Sequence, residues 1–270
     1  MFKKNKCFNC KKEYDETFNE CPDCHAPNVI LDPSFRHVTM LSYGKQIGLL
    51  LVEILGITLF PILLSAIFAA AGITDWNASL LNMLLNTLVY VGMFGASLIL
   101  LNKDLPKLLK GFKKLRPYIG GLICFMTIFV TGILYSIILQ LAGVEISSNG
   151  NQGAIDQTAM SFPFTSMIIF GLLGPICEEL AFRVGLFSFL KRFSKWVAYP
   201  IGVLGFAIIH FSFGAANLTN ELLNLPYYLL AGFVLCFTYD KYGFAGSVTG
   251  HILNNVISLI PGVVALGVFH

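Results

Sequence analysis

Apolar runs recur along this chain from Gln46 to its end, at lengths that suit helices crossing a bilayer. They run from Gln46 to Ala71, Leu80 to Leu101, Tyr118 to Ala142, Phe164 to Leu190, Trp196 to Phe213, Leu225 to Tyr239 and Phe244 to Phe269, against about 20 residues per helical span. The pattern predicts seven spans, or eight if Pro261 splits the last run into two short helices. The polar intervals alternate in charge. Lys3, Lys4, Lys6, Lys11, Lys12, Arg36 and Lys45 precede the first span, whereas the next interval holds Asp75 and no basic residue. The second interval is rich in lysine from Lys103 to Lys114, and the third, residues 143–161, carries only Glu145 and Asp156. Lys191, Arg192 and Lys195 follow, then Glu221 on one side and Lys241 on the other. Basic loops stay in the cytoplasm, so the N-terminus is expected there, in a plasma-membrane protein.

Composition strengthens the membrane assignment. Hydrophobic residues make up 56% of the 270 positions and charged residues 12%, with a mean hydropathy of +0.72, above the apolar share of about 45–50% in soluble domains. The net charge of +3 is spread among loops and forms no nucleic-acid patch. The lysines from Lys103 to Lys114 alternate with Leu105, Leu108, Leu109 and Phe112, which suits either a topology-setting loop or an amphipathic element on lipid headgroups.

The first 32 residues are different. They are polar, lack the apolar core of a signal peptide, and carry Cys7-Phe-Asn-Cys10 and Cys21-Pro-Asp-Cys24. Each pair places two thiolates on one turn, and together they make a Cys₄ zinc-ribbon-like site. Too few apolar residues are present for an independent core, so the metal would supply folding energy. Redox disulfides or an iron site are the alternatives, and His25 beside Cys24 is a minor substitute ligand. Thiolate ligands agree with a reducing cytosol. Domains are therefore expected at 1–32 (metal module), 33–45 (linker) and 46–270 (membrane domain, catalytic core 164–261). Cys124, Cys177 and Cys236 lie in apolar runs and read as small buried hydrophobes. His37 and the terminal His270 carry no signal.

Charges inside the spans point to chemistry. Glu178, Glu179 and Arg183 interrupt the fourth run, His210 ends Phe206-Ala-Ile-Ile-His210 in the fifth, and His251 opens His251-Ile-Leu-Asn-Asn255 in the last. Ionisable residues at membrane depth mark function unless they merely pair. At 1.5 Å per residue, Glu178, His210 and His251 lie roughly 15–22 Å in from the nearest cytoplasmic charges, so their levels overlap. Glu179 and Arg183 share a helix face, as do Phe206 with His210 and His251 with Asn255. Glu178 is rotated about 100° from Glu179, which lets one pair with Arg183 while the other faces a cavity. Pro175 removes a backbone hydrogen bond just before them. Such a set supports hydrolysis, either by a carboxylate and histidine activating water with oxyanion donors opposite, or by a His₂Glu zinc site. The residues leave both open.

The three motifs, EExxxR at Glu178–Arg183, FxxxH at Phe206–His210 and HxxxN at His251–Asn255, resemble those of the CPBP family. This family comprises the type II CAAX prenyl endopeptidases and bacteriocin-processing enzymes, also called Abi proteins. The resemblance covers roughly Phe164 to Pro261. It implies an all-α, polytopic intramembrane endopeptidase acting on a membrane-associated or prenylated peptide or protein. It assigns Glu178 as general base with His210 holding the water, Glu179 and Arg183 as organisers, and His251 with Asn255 as oxyanion hole. It favours a mechanism without catalytic metal, leaving zinc to the N-terminal cysteines. Lipid and peptide are the expected partners, with the oligomeric state open. A proton-coupled transporter would also bury Glu and His, and a non-proteolytic scaffold could use the same fold.

Overall fold

A computed structural model of the chain describes residues 4–29, 31, 33–73 and 77–265. Lys3, Asp75, Phe269 and His270, named above, lie outside the described residues. The N-terminal module contains the antiparallel pair β1 (Lys4–Lys6) and β2 (Glu13–Asp15), in register Asn5 to Tyr14. Among the described residues after 42, all regular structure is helical, beginning with α1 (Tyr43–Ala70), α2 (Ala78–Leu101), α3 (Leu105–Leu109), α4 (Leu115–Leu141) and α5 (Gly150–Ser161). A broken helix over residues 163–191 follows. It is made of α6 (Pro163–Ser166), a π-helical stretch Met167–Leu173, α7 (Gly174–Glu178), a second π-helical stretch Glu179–Phe187 and α8 (Ser188–Lys191). The chain ends in α9 (Lys195–Ile209), α10 (Leu218–Tyr242) and α11 (Phe244–Ala265).

Among the described residues, four helices are long and apolar enough to cross a membrane: Tyr43–Ala70, Ser79–Lys113, Leu115–Leu141 and Leu218–Tyr242. Two further apolar helices, Lys195–Ile209 and Phe244–Ile260, are shorter. The remaining predicted run, the fourth, is the broken helix. No eighth segment forms at Pro261, because the backbone stays helical from Phe244 through Ala265.

The burial pattern of α1 is inside-out relative to a soluble helix. It buries Gln46, Leu49, Glu53 and Gly56 and exposes Leu51, Leu55, Leu59 and Ile62. That is the arrangement of a helix whose outer face meets hydrocarbon and whose polar groups need protein partners. Small residues allow close approach: a side chain at Gly185 would press on the Gln46 carbonyl at 2.9 Å. Helix ends follow local capping, with Asn77 accepting from the Ser79 and Leu80 N–H groups and Ser194 from that of Trp196. Gly243, at φ +76°, ends α10, and any Cβ there would meet the His37 carbonyl at 2.9 Å.

Within the expected linker 33–45, Phe35, Val38, Met40 and Leu41 are buried in the same core as Phe187, Tyr239 and Val248. The third interval is not all loop, since Asn149 caps the 12-residue α5 through the Gln152 N–H. The basic interval is helical over residues 102–113, with Leu108 buried and Phe112 packed on Phe244.

Candidate active site

The site begins with a helix that departs from regular winding. Gly174 and Pro175 sit between the two π-helical stretches, and Pro175 has no N–H to continue the ladder. A π-turn widens the helix and leaves backbone groups without their α-helical partners, so neighbours must supply them. Gln46 Nε2 does so for the Val184 carbonyl at 3.1 Å, and Asn255 Nδ2 donates to the Phe170 carbonyl at 3.1 Å.

Glu179 and Arg183 are both fully buried and meet at 3.1 Å between Nη1 and Oε1. The guanidinium is not aligned for a hydrogen bond there, so the contact is ionic. It also lies 4.4 Å from the centroid of the Phe206 ring, which adds a cation–π contact. The same Oε1 accepts from His251 Nδ1 at 3.0 Å. Glu179 therefore ties the broken helix to α11 while balancing Arg183.

Glu178, one step round the helix, faces elsewhere. Its Oε2 lies 3.8 Å from His210 Nε2 and 3.6 Å from His251 Nε2. His210 Nδ1 is 2.9 Å from the Phe206 carbonyl. A carbonyl only accepts, so His210 carries its proton on Nδ1, and an ionised Glu179 fixes the same tautomer in His251. In the neutral rings both Nε2 atoms are acceptors. Two lone pairs and a carboxylate oxygen thus converge, too far apart for direct hydrogen bonds, around a point that suits a donor such as water. His210 is held further by Tyr228, stacked at 4.7 Å between ring centroids, and by Asn149, which donates to its carbonyl at 2.6 Å.

These groups open onto a cavity of about 810 Å³ walled by α1, α2, the broken helix, α10 and α11. Glu178, His210, His251 and Asn255 all line it, whereas Glu179 and Arg183 lie behind the wall. All six predicted residues are thus brought together, with two roles in space. Three contributors were not foreseen. Glu53 on α1 lines the cavity, Tyr90 on α2 shares that wall, and Glu221 braces the loop after His210 by accepting from the Gly150 and Ser212 N–H groups at 2.7 and 2.9 Å. Glu53 carried a legible signal, a lone acid in an apolar run. Glu221 resembled an ordinary external loop charge but is buried.

The module supplies a second constellation. The sulfurs of Cys7, Cys10, Cys21 and Cys24 all lie within 4.8 Å of one another. Cys7 to Cys24 is 3.6 Å and Cys10 to Cys21 is 3.7 Å. A tetrahedron with metal–sulfur bonds of about 2.3 Å has edges of about 3.8 Å, so the residues fit a Cys₄-bound metal ion. Burial pushes the Cys7 thiol up to about 12. Burial also opposes ionisation of Cys24, but hydrogen bonds from the Ala26 backbone, Asn9 and neighbouring thiols outweigh it and bring this group to about 6. His25 is not part of the set, because its Nδ1 pairs with Glu20 at 2.9 Å on the surface. Among the described residues this is the one group of three or more metal-type ligands in mutual reach.

Broken helix, buried ion pair and histidine-flanked carboxylate are gathered at one cavity. Residues 160–257, which contain all three motifs, match the family model described as type II CAAX prenyl endopeptidase Rce1-like. That family is one of CAAX proteases, which are peptide hydrolases. With four helices of membrane-spanning length, the chain is an integral membrane protein. A curated relative, UPF0177 protein YvdC of Lactococcus lactis subsp. lactis (strain IL1403), is 29% identical over 156 residues, 57% of this chain and 55% of the relative. The chain thus matches about half the length of that relative. No solved structure matches.

Proposed function

We propose that the protein is an intramembrane endopeptidase of CAAX type, cutting a membrane-associated or prenylated peptide or protein. The observation that carries this reading is Glu178 Oε2 facing two histidine Nε2 atoms at 3.8 and 3.6 Å inside a cavity large enough for an extended peptide segment. Glu178 is the general base. As the water oxygen attacks the peptide carbonyl carbon, one water proton passes to Glu178, with His210 orienting the water. The carbonyl electrons move onto oxygen, where His251 in its doubly protonated form and the second N–H of Asn255 donate to it. The C–N bond then breaks, Glu178 returns its proton to the leaving amine, and a free acid and amine result. Glu179 keeps His251 oriented throughout, and Arg183 keeps Glu179 ionised in place.

The four module cysteines would hold a structural zinc ion, which would stabilise the fold of residues 4–29 and takes no part in the hydrolysis. The basic intervals support a cytoplasmic N-terminus, with the module in the cytosol and the membrane domain in the plasma membrane.

The test is cleavage of candidate lipidated and unmodified peptides by purified protein. Loss of cleavage in Glu178→Gln and His210→Ala is the expected result. Unchanged cleavage in both variants would sink the proposed chemistry.

A further inference from the structure

Among the described buried acids, Glu53 is the one without an answering group. Glu179 has Arg183 and His251, Glu221 has two backbone N–H groups, and Asp104 has Lys45 and Lys107. Glu178 faces two histidines. Glu53 is 2% exposed, lines the same cavity as Glu178, and has no hydrogen-bond or ion-pair partner among the described residues. An isolated acid in a lipid-facing helix is costly, and any apolar residue would fit α1 better unless the acid meets something that enters the cavity.

The cavity says what that something is. Its lining contains no lysine or arginine, while Glu53, Glu178, His210 and His251 supply its acids and imidazoles beside the phenols of Tyr90, Tyr227 and Tyr228. The guanidinium of Arg183 is committed to Glu179 behind the wall. Beside Glu53, the wall offers Leu50, Ile54 and Ile57 from α1, then the polar ends of Asn86 and Tyr90 from α2. Apolar surface leading to an unpaired carboxylate suits a long aliphatic stem with a cationic tip. An acidic side chain in the same place would meet the carboxylates of Glu53 and Glu178 with no lysine or arginine in the lining to balance it.

We propose that Glu53 is a specificity residue that receives a lysine or arginine side chain of the substrate, next to the bond that Glu178 hydrolyses. The proposal rests on the endopeptidase reading and adds a substrate class to it: a membrane-embedded peptide carrying a basic residue near the scissile bond.

The experiment uses the purified full chain and otherwise identical apolar peptides in which one position at a time is lysine, norleucine or glutamate. At one position, lysine raises kcat/KM at least about tenfold over norleucine, as expected for a desolvated charge pair, and glutamate lowers it. Glu53→Gln brings the lysine-to-norleucine ratio close to one, and Glu53→Lys inverts the order of lysine and glutamate peptides. A wild-type ratio near one at every position, which needs no variant to fold, overturns the proposal, as does a ratio unchanged in Glu53→Gln. A parallel arm measures photo-crosslinking of the same peptides to wild-type and Glu53→Gln protein. If nothing is cut, yet lysine peptides crosslink more than norleucine peptides and lose that advantage in Glu53→Gln, hydrolysis fails as the function and the subsite stands. Equal crosslinking of both peptides to the wild type, again with nothing cut, overturns the subsite.

Discussion

Glu178 and Glu179 are neighbours in sequence with opposite obligations, and substitution separates them. Glu179 holds Arg183 and His251 at once in a fully buried setting, so Glu179→Gln leaves a buried guanidinium without its counter-charge. Removing one member of such a pair costs about 3–5 kcal/mol, and the thermal midpoint in detergent should fall sharply. Glu178 Oε2 has no hydrogen-bond partner among the described residues. Glu178→Gln should therefore leave the midpoint near that of the wild type while lowering peptide turnover about 10²–10⁴-fold, the share general base catalysis contributes. A large stability loss in Glu178→Gln would contradict this division. The four-residue spacing made the Glu179–Arg183 contact legible, because helix geometry is local. The bond from Glu179 to His251 joins residues 72 apart, and only the packing of α11 on the broken helix reveals it. It also gives His251 a second bond to balance against its expected oxyanion role, just as the Phe170 carbonyl takes one N–H of Asn255.

Elements were legible in proportion to their hydrophobicity. The long helices followed from apolar runs alone, and α1 starts only three residues before its predicted boundary at Gln46. The helix α5 escaped because Gly150–Ser161 is polar and has no apolar stripe. Its position is set by partners elsewhere: Glu221 on its first N–H group, and the His210 carbonyl bonded to its cap, Asn149. The π-helical stretches escaped for a related reason. Pro175 advertised a break, but the wide turns depend on Gln46 and Asn255 taking carbonyls from other helices. Glu221→Gln replaces one acceptor by an amide N–H that faces a backbone N–H. The unpaired buried donor costs about 1–3 kcal/mol. Because both of its contacts brace the loop after His210, faster hydrogen exchange across residues 149–153 and 211–215 should accompany the loss, with the long helices unaffected. Unaltered exchange in those segments would show that Glu221 is not what holds them.

At the scale of the whole molecule, the cysteine module is packed against the end of the broken helix. Phe8 and Asn9 occupy the turn between Cys7 and Cys10. Asn9 accepts from the Tyr43 N–H at 3.2 Å where α1 begins, and Phe8 meets the Tyr43 ring edge-on. Arg192, at the end of α8, lies over both rings, 4.6 Å from that of Phe8 and 4.1 Å from that of Tyr43, and donates to the Leu41 carbonyl. Lys191 pairs with Asp240 of α10 and donates to the Ser34 carbonyl. The cysteine spacing made the metal site readable, but nothing local marked residues 33–45 as core. Metal binding must displace the proton of Cys7, which burial holds on up to about 12, whereas Cys24 is already a thiolate above about 6. Affinity should therefore fall as pH is lowered, and more steeply below about 6, where Cys24 also has to lose a proton; competition with a chromophoric chelator across that range reads the slope. Stripping the metal then removes the folding energy of a module with almost no apolar core of its own. Because the module's turn is one side of the Arg192 clamp, hydrogen exchange should rise at residues 188–195 as well as within residues 4–29, and Cys21→Ser should reproduce both changes without chelator. Loosening confined to the module would show that the clamp on the broken helix is held by Tyr43 and Leu41 alone.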